Sequence, residues 1–373
     1  MKEQIPVTRS VMPTFEEYCA EIESLWDTRW LTNAGAKNQR LEMELACYLD
    51  SDHCTLFCNG HQALLTALEL FEFPQGGEVI TTPFTFLSTT QSILQAGLKP
   101  VFCDIDPLTL TLDPKLIEAA ITERTVAILP VHVYGRICDV ESIGTIARTH
   151  ELAVIYDAAH AFGVTYKGKG VGSWGDLSMF SLHATKVFHT VEGGALTYAA
   201  DAYEPPLLSR RNFGLEGAEE ARLISGNTKM NEFQAAMGLC NLRHIDETLT
   251  ARQRVSERYD KLLADIEGLT VLRHQQDVIS NHAYYPVFFD AGQQMRDAVN
   301  ESMAKEGIIT RKYFYPLTAE FACVREKVTA ERTPVAEKAA ATVLCLPMYP
   351  DLTPSEIERV VTVLRQAMAR SRT

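Results

Sequence analysis

Long apolar runs are missing from this sequence: none reaches the ~18 residues needed to cross a membrane. The opening stretch, MKEQIPVTRSVMPTFEEY, has no apolar block like that of a secretory signal, so the chain is expected in the cytoplasm. No basic patch interrupts a net charge of -13, which argues against a nucleic-acid partner. That acidity still allows an anionic small molecule, because backbone amides and a few placed cations can hold a phosphate. No C-x-x-C pair occurs among the nine cysteines, whose number is odd and whose spacing is scattered. Buried free thiols are expected, with neither a disulfide framework nor a metal site. Internal repeats, low-complexity tracts and long linkers are absent too. What remains is an ordinary globular composition, 46% hydrophobic and 22% charged over 373 residues. At roughly 150 residues per domain, that length suggests two domains.

From Cys54 to Tyr198, short apolar runs alternate with helix-like segments. Strands are expected at Cys54–Cys58, Glu78–Thr82, Lys99–Cys103, Val126–Val131 and Ala153–Tyr156. Helices are expected at His61–Phe71 and near Leu87–Ala96, from Pro114, and near Val140–His150. Such alternation implies a mainly parallel sheet covered on both faces. Leu177–Ser181 and Gly194–Tyr198 read as two more strands, close enough to meet through a turn. Beyond Asn227 the character shifts to one long helical stretch, Met230 to Ile266, then strand-like pieces such as Ala283–Phe289. A last helix begins at Pro354, with Thr353 as its cap. The expected fold class is α/β: a large domain over residues 1–235 that includes the N-terminal segment, and a smaller α+β domain over 236–373.

Three blocks carry chemistry. In Val154-Ile155-Tyr156-Asp157-Ala158-Ala159-His160 an apolar strand ends in an aspartate, and function in α/β sheets clusters at the carboxyl ends of strands. Such a carboxylate suits a cationic ring nitrogen, a metal or a ribose hydroxyl; a helix-capping or turn aspartate is the plainer alternative. In Phe180-Ser181-Leu182-His183-Ala184-Thr185-Lys186, followed by Glu192-Gly193-Gly194, a lysine follows a buried strand. A desolvated lysine there could lose its proton and form a Schiff base. In Cys58-Asn59-Gly60-His61 a strand turns into a helix whose first amides can hold a phosphate. By contrast, Gly170-Val171-Gly172-Ser173-Trp174-Gly175 matches the dinucleotide fingerprint in letters only. It precedes a strand instead of following one, and is assigned to turns.

Taken together, D-A-A-H-A-F-G, then G-D-L-S-M-F-S-L-H-A-T-K, then E-G-G-A, resemble the DegT-type sugar-nucleotide aminotransferase family. Its fold is that of aspartate aminotransferase, the type I fold of enzymes using pyridoxal 5′-phosphate (PLP). The similarity runs from Trp30-Leu31-Thr32-Asn33 to Leu346-Pro347-Met348-Tyr349-Pro350. The resemblance implies that Lys186 carries the cofactor and shuttles the proton, and that Asp157 pairs with the pyridinium nitrogen. It implies that His160 lies near the phenolic oxygen and that Phe86 stacks on the ring. Gly60, His61 and Ser181 match phosphate-binding positions. Asn227 resembles an asparagine reaching the phosphate of a neighbouring subunit, which implies a homodimer with shared sites. His61 stands where the family usually has Thr or Ser, and Lys229 where Arg is common. Thr32, His183, Arg211, Asn212 and Tyr313 are candidate substrate contacts. The Trp30–Asn33 stretch and the compact length are similar to the branch acting on dTDP-4-keto-6-deoxyhexoses. The implied reaction moves an amino group from L-glutamate to such a sugar, with a 3-keto sugar as the alternative.

Two rivals are weaker. A PLP-dependent sugar dehydratase of this family would have histidine where Lys186 stands. A non-catalytic PLP-binding regulator would have no use for a proton-shuttling lysine.

Overall fold

The computed structural model describes residues 4–217 and 219–371. Apolar segments bounded by Gly, Pro and Asp become strands β1 (His53–Phe57), β2 (Glu78–Thr81), β3 (Lys99–Phe102), β4 (Thr125–Ile128) and β5 (Ala153–Asp157). There follow β6 (Thr165–Tyr166), β7 (Lys169–Gly170), β8 (Leu177–Ser181) and β9 (Gly194–Tyr198). The central sheet has the order β1-β9-β8-β5-β4-β2-β3. Its β2–β3, β2–β4, β4–β5 and β5–β8 pairs are parallel, while β9 runs against both neighbours. Successive residues of a strand face opposite sides. Accordingly Leu56, Tyr156 and Phe180 enter one core, and Phe57, Ile155 and Met179 enter the other. The mainly parallel α/β architecture is therefore as the sequence implies.

Beyond it, β10 (Leu269–Val271), β12 (Tyr285–Phe289) and β13 (Val343–Leu346) form an antiparallel sheet in the order β10-β12-β13. β11 (Val278–Ile279) instead joins β6 and β7. Helices Ile245–Leu263, Gln293–Lys305 and Pro354–Arg370 supply Tyr259, Val299 and Leu364 to a separate core with Val287 and Leu344. Thr353 and Glu356 form a capping box at the start of the last helix. Ile5 also enters this core, held by hydrogen bonds with Gly307 and Ile309. The earliest described residues thus pack with the C-terminal layer, although the sequence division groups them with the N-terminal one.

Two local expectations change. The stretch expected as one helix from Met230 breaks at His244, giving Glu232–Arg243 and Ile245–Leu263. His244 and Arg243 both bind Glu17 of the N-terminal helix; Ala235, Leu239 and Ile245 join the sheet core, whereas Val255, Tyr259 and Leu263 enter the C-terminal one. The nine cysteines are free, but Cys47 and Cys323 are exposed and Cys19 and Cys58 only half-buried. The Gly170-to-Gly175 run, expected as turns, ends β7 at Gly170, makes a single 3-10 turn over Val171–Ser173 and then bends into β8. A Cβ at Gly170 or Gly172 would lie 2.5 or 2.6 Å from the Leu49 carbonyl oxygen, so close packing against a helix end explains both glycines.

Candidate active site

The carboxyl ends of β1, β2, β5 and β8 converge, and the three chemical blocks lie at those ends. β8 and β9 do pair, but the segment between them makes an excursion that carries Lys186. Asp157, the last residue of β5, is buried. Its Oδ2 accepts a hydrogen bond from Thr89 Oγ1 (2.7 Å) and its Oδ1 from the Ala159 amide (3.1 Å). Because the Thr89 proton goes to Asp157, Thr85, 2.8 Å away, must donate to Thr89. Burial raises the Asp157 pKa, against these bonds and the nearby Lys186 charge.

Lys186 is half-buried and makes no ion pair among the described residues; its Nζ lies 3.5 Å from the Tyr284 hydroxyl. Desolvation pushes its pKa down to about 8, with Asp157 opposing the shift. A substantial neutral-amine fraction therefore exists near neutral pH, as a nucleophile or base requires. His160 is buried, and burial and the Lys186 charge hold it neutral. Its Nδ1 accepts from the Tyr134 amide (3.2 Å), which puts the ring proton on Nε2. The ring lies parallel to Phe314 at 5.6 Å and edge-on to Tyr284 at 4.8 Å.

Gly60 begins helix Gly60–Leu70, whose cap Asn59 accepts from the Gln62 amide (2.9 Å). A Cβ on Gly60 would fall 3.0 Å from Ser181 Cβ, and one on Gly194 would fall 2.4 Å from the Asn59 carbonyl oxygen. These two glycines let the helix start and the end of β8 close into a cradle. The His61 imidazole is directed to helix Leu87–Gln95: its nitrogens lie 2.8 Å from Ser88 Oγ and 3.1 Å from Gln95 Oε1. Phe86, at the start of helix Leu87–Gln95, leaves 59% of its surface open, with its ring 6.5 Å from that of Phe314.

The remaining candidates separate. His183 stays near Lys186, with Nδ1 accepting from the Thr185 amide and Nε2 3.5 Å from Glu192. Tyr313 packs edge-on to Tyr284. Arg211 is buried, and its Nη1 donates to Glu42 (2.6 Å) and to the Leu56 carbonyl (3.1 Å). Asn212 accepts from Lys229 and pairs with Asn227, which is exposed, as is Thr32. Sequence reasoning missed Thr85, Thr89, Tyr134, Tyr284 and Phe314. The i, i+4 spacing of Thr85 and Thr89 was a usable signal for the first two; Tyr134 lies in the 3-10 turn after β4, and Tyr284 and Phe314 come from the C-terminal part of the chain.

The chain matches the profile of the DegT/DnrJ/EryC1/StrS aminotransferase family over residues 14–365. It belongs to that family. This aminotransferase is 39% identical over 367 residues to a dTDP-4-amino-4,6-dideoxy-D-glucose transaminase of Shigella dysenteriae, covering 98% of this chain and 100% of the relative. Its structure is similar to that of DesI in the presence of its TDP-sugar product, with a TM-score of 0.94, 33% identity, and coverage of 100% and 97% of the two chains. The PLP form of Spr1654 from Streptococcus pneumoniae aligns over 100% of both chains, with a TM-score of 0.93 and 25% identity. Family and neighbours accord with the expected fold and aminotransferase activity. Among its described residues, this aminotransferase has no helix long and apolar enough to cross a membrane.

Proposed function

We propose that this aminotransferase uses PLP held through Lys186 to move an amino group from L-glutamate to a dTDP-4-keto-6-deoxyhexose. The product would be dTDP-4-amino-4,6-dideoxy-D-glucose. The observation that carries the reading is Lys186 itself, a desolvated lysine of pKa about 8 with no ion-pair partner among the described residues, set beside buried Asp157. The chain's groups fit the cofactor. The Gly60–Ser181 cradle offers helix-start amides to a phosphate, Asp157 offers a carboxylate to a ring nitrogen, and Phe86 offers an open aromatic face. When bound, PLP supplies an electron sink for the bond being broken at the amino-acid Cα. Asp157 keeps the ring nitrogen protonated, and the Thr89 and Ala159 bonds fix the carboxylate's direction. His160, with its proton on Nε2, can donate to the ring oxygen. Lys186, neutral once released, would take the proton from the donor carbon as general base and hold it on Nζ for return as general acid.

The sugar assignment rests on the Shigella relative and on DesI, whose names contain a dTDP- and a TDP-sugar. A homodimer is part of the proposal. Asn227 is exposed on a loop that also presents Phe213, 49% open, and a fully open Ile224, an apolar surface suited to a second copy. The test is direct: glutamate should convert the PLP absorbance to that of the amine form, and a panel of 3-keto and 4-keto nucleotide sugars should restore it. Restoration by 3-keto sugars alone overturns the substrate assignment.

Two substitutions probe the phosphate cradle. Gly60→Ala forces a methyl against Ser181, and overpacking of this kind should weaken PLP binding roughly tenfold or more in a titration of apoenzyme. His61→Ala should leave PLP affinity within about twofold while lowering stability by about 1 kcal/mol, since it removes side-chain bonds to Ser88 and Gln95 only. A large affinity loss in the latter would assign the imidazole to the phosphate after all.

A further inference from the structure

We infer that Tyr284 is a positioning residue for the reaction: its hydroxyl holds the Lys186 amine during the interval when that amine is free. The inference rests on the reading in which Lys186 carries the cofactor. Once released, a lysine regains a flexible four-carbon stem and about 2 kcal/mol of rotamer entropy. A base that wanders by an ångström loses much of its rate advantage. Asp157 and His160, from β5 and the turn beyond, are close enough to interact with its charge. A free amine drawn to Asp157 would keep its proton and neutralise the carboxylate. Tyr284 approaches from the opposite layer, just before β12, and anchors Lys186 without a competing charge.

A phenol suits both states of the amine. It accepts from an ammonium and donates to a neutral amine's lone pair. Burial raises the Tyr284 pKa, so the hydroxyl keeps its proton at working pH. The 3.5 Å separation is long, as catalytic contacts often are before substrate binds.

The backbone leading into Tyr284 is gripped from two sides. Asn281, fully buried, donates to the carbonyls of His160 (2.8 Å) and Phe162 (2.9 Å) and accepts from the Ala283 amide (3.1 Å). Arg252, also buried, directs Nη1 at the carbonyls of His282, Ala283 and Met348, each 3.4 Å away, and makes no ion pair among the described residues. A buried guanidinium without an acid is costly. Its contacts go to the segment that carries Tyr284 and to the Met348 backbone. The Tyr284 ring is fixed against His160, Tyr134 and Tyr313 at 4.8 to 5.8 Å.

The test is Tyr284→Phe in the full-length protein, which keeps the ring and removes the hydroxyl. Apoenzyme is mixed with PLP, and the rate at which Lys186 captures the aldehyde, with loss of water, is measured against pH by absorbance. Without the hydroxyl the ammonium loses its acceptor, so the midpoint of the capture profile should move to lower pH by roughly half a unit or more. In stopped-flow experiments the glutamate half-reaction of the loaded variant should slow at least about tenfold, with glutamate KM little changed. An unshifted midpoint with a wild-type half-reaction overturns the inference, as does a variant that loses only thermal stability. If wild-type enzyme captures PLP but ignores glutamate, the donor assignment falls while the capture comparison still decides the role of Tyr284.

Discussion

Lys186→Ala should lose turnover by on the order of 10⁴-fold while still binding PLP, because both the covalent attachment and the proton carrier disappear together. Retained binding is expected because Gly60, Ser181, Phe86 and Asp157 lie outside the deleted side chain. The bound cofactor should absorb as a free aldehyde, and borohydride should no longer fix it to the protein. Truncation leaves space next to Asp157, so added ethylamine should restore a fraction of the half-reaction by carrying the proton in place of Lys186. Wild-type Lys186 should capture PLP faster as pH rises through about 8, where its ammonium gives up the proton, with a plateau above. The same shift makes an apoenzyme stability prediction. Between about 8 and the ordinary lysine range the unfolded chain holds a proton that the folded chain has lost, so this group adds stability as pH rises there. Native turnover in Lys186→Ala would remove the covalent reading altogether.

Local pattern made the sheet legible, because β-branched runs and turn residues repeat at short intervals. The helix Val140–His150 and the strands Leu177–Ser181 and Gly194–Tyr198 match their expected bounds. The break at His244 was not legible, since its cause is Glu17 on an element more than two hundred residues away. The site divides in the same way. Asp157, Ser181 and Lys186 stand on strand ends or just beyond, where position alone implies function. Tyr284 and Phe314 reach it only through packing of the C-terminal layer, and no spacing within their own segments signals that. Arg211 shows another limit: its place near chemical residues suggested a substrate contact, and its ion pair with Glu42 was not legible. Composition could not have revealed that pairing, because the partners lie on separate helical segments.

Asp157→Asn should lower kcat by about 10²–10³-fold, the range seen when a preorganised electrostatic partner is removed from a reaction centre. The amide is nearly the same size, and its oxygen can still accept from the Ala159 amide, so the fold should persist. What it cannot supply is the negative charge that keeps a ring nitrogen protonated. At the other oxygen position an NH₂ would face Thr89, which must then turn its proton away, breaking the order that runs from Thr85. Stability should move the opposite way from activity. Burial raises the folded-state pKa of Asp157 above its unfolded value, so the stability linked to its proton is present at low pH and lost as pH rises through the folded value. Wherever the buried carboxylate is ionised in apoenzyme, its desolvation is a cost that the asparagine avoids. The apo form of Asp157→Asn should melt no lower than wild-type apoenzyme at pH 7, whereas its stabilisation by added PLP should be smaller. Thermal melts with and without cofactor, set beside stopped-flow half-reactions, separate the two effects. Wild-type rates would show that Asp157 has no electrostatic role, and a collapsed apoprotein would mean that the carboxylate is needed for folding rather than for chemistry.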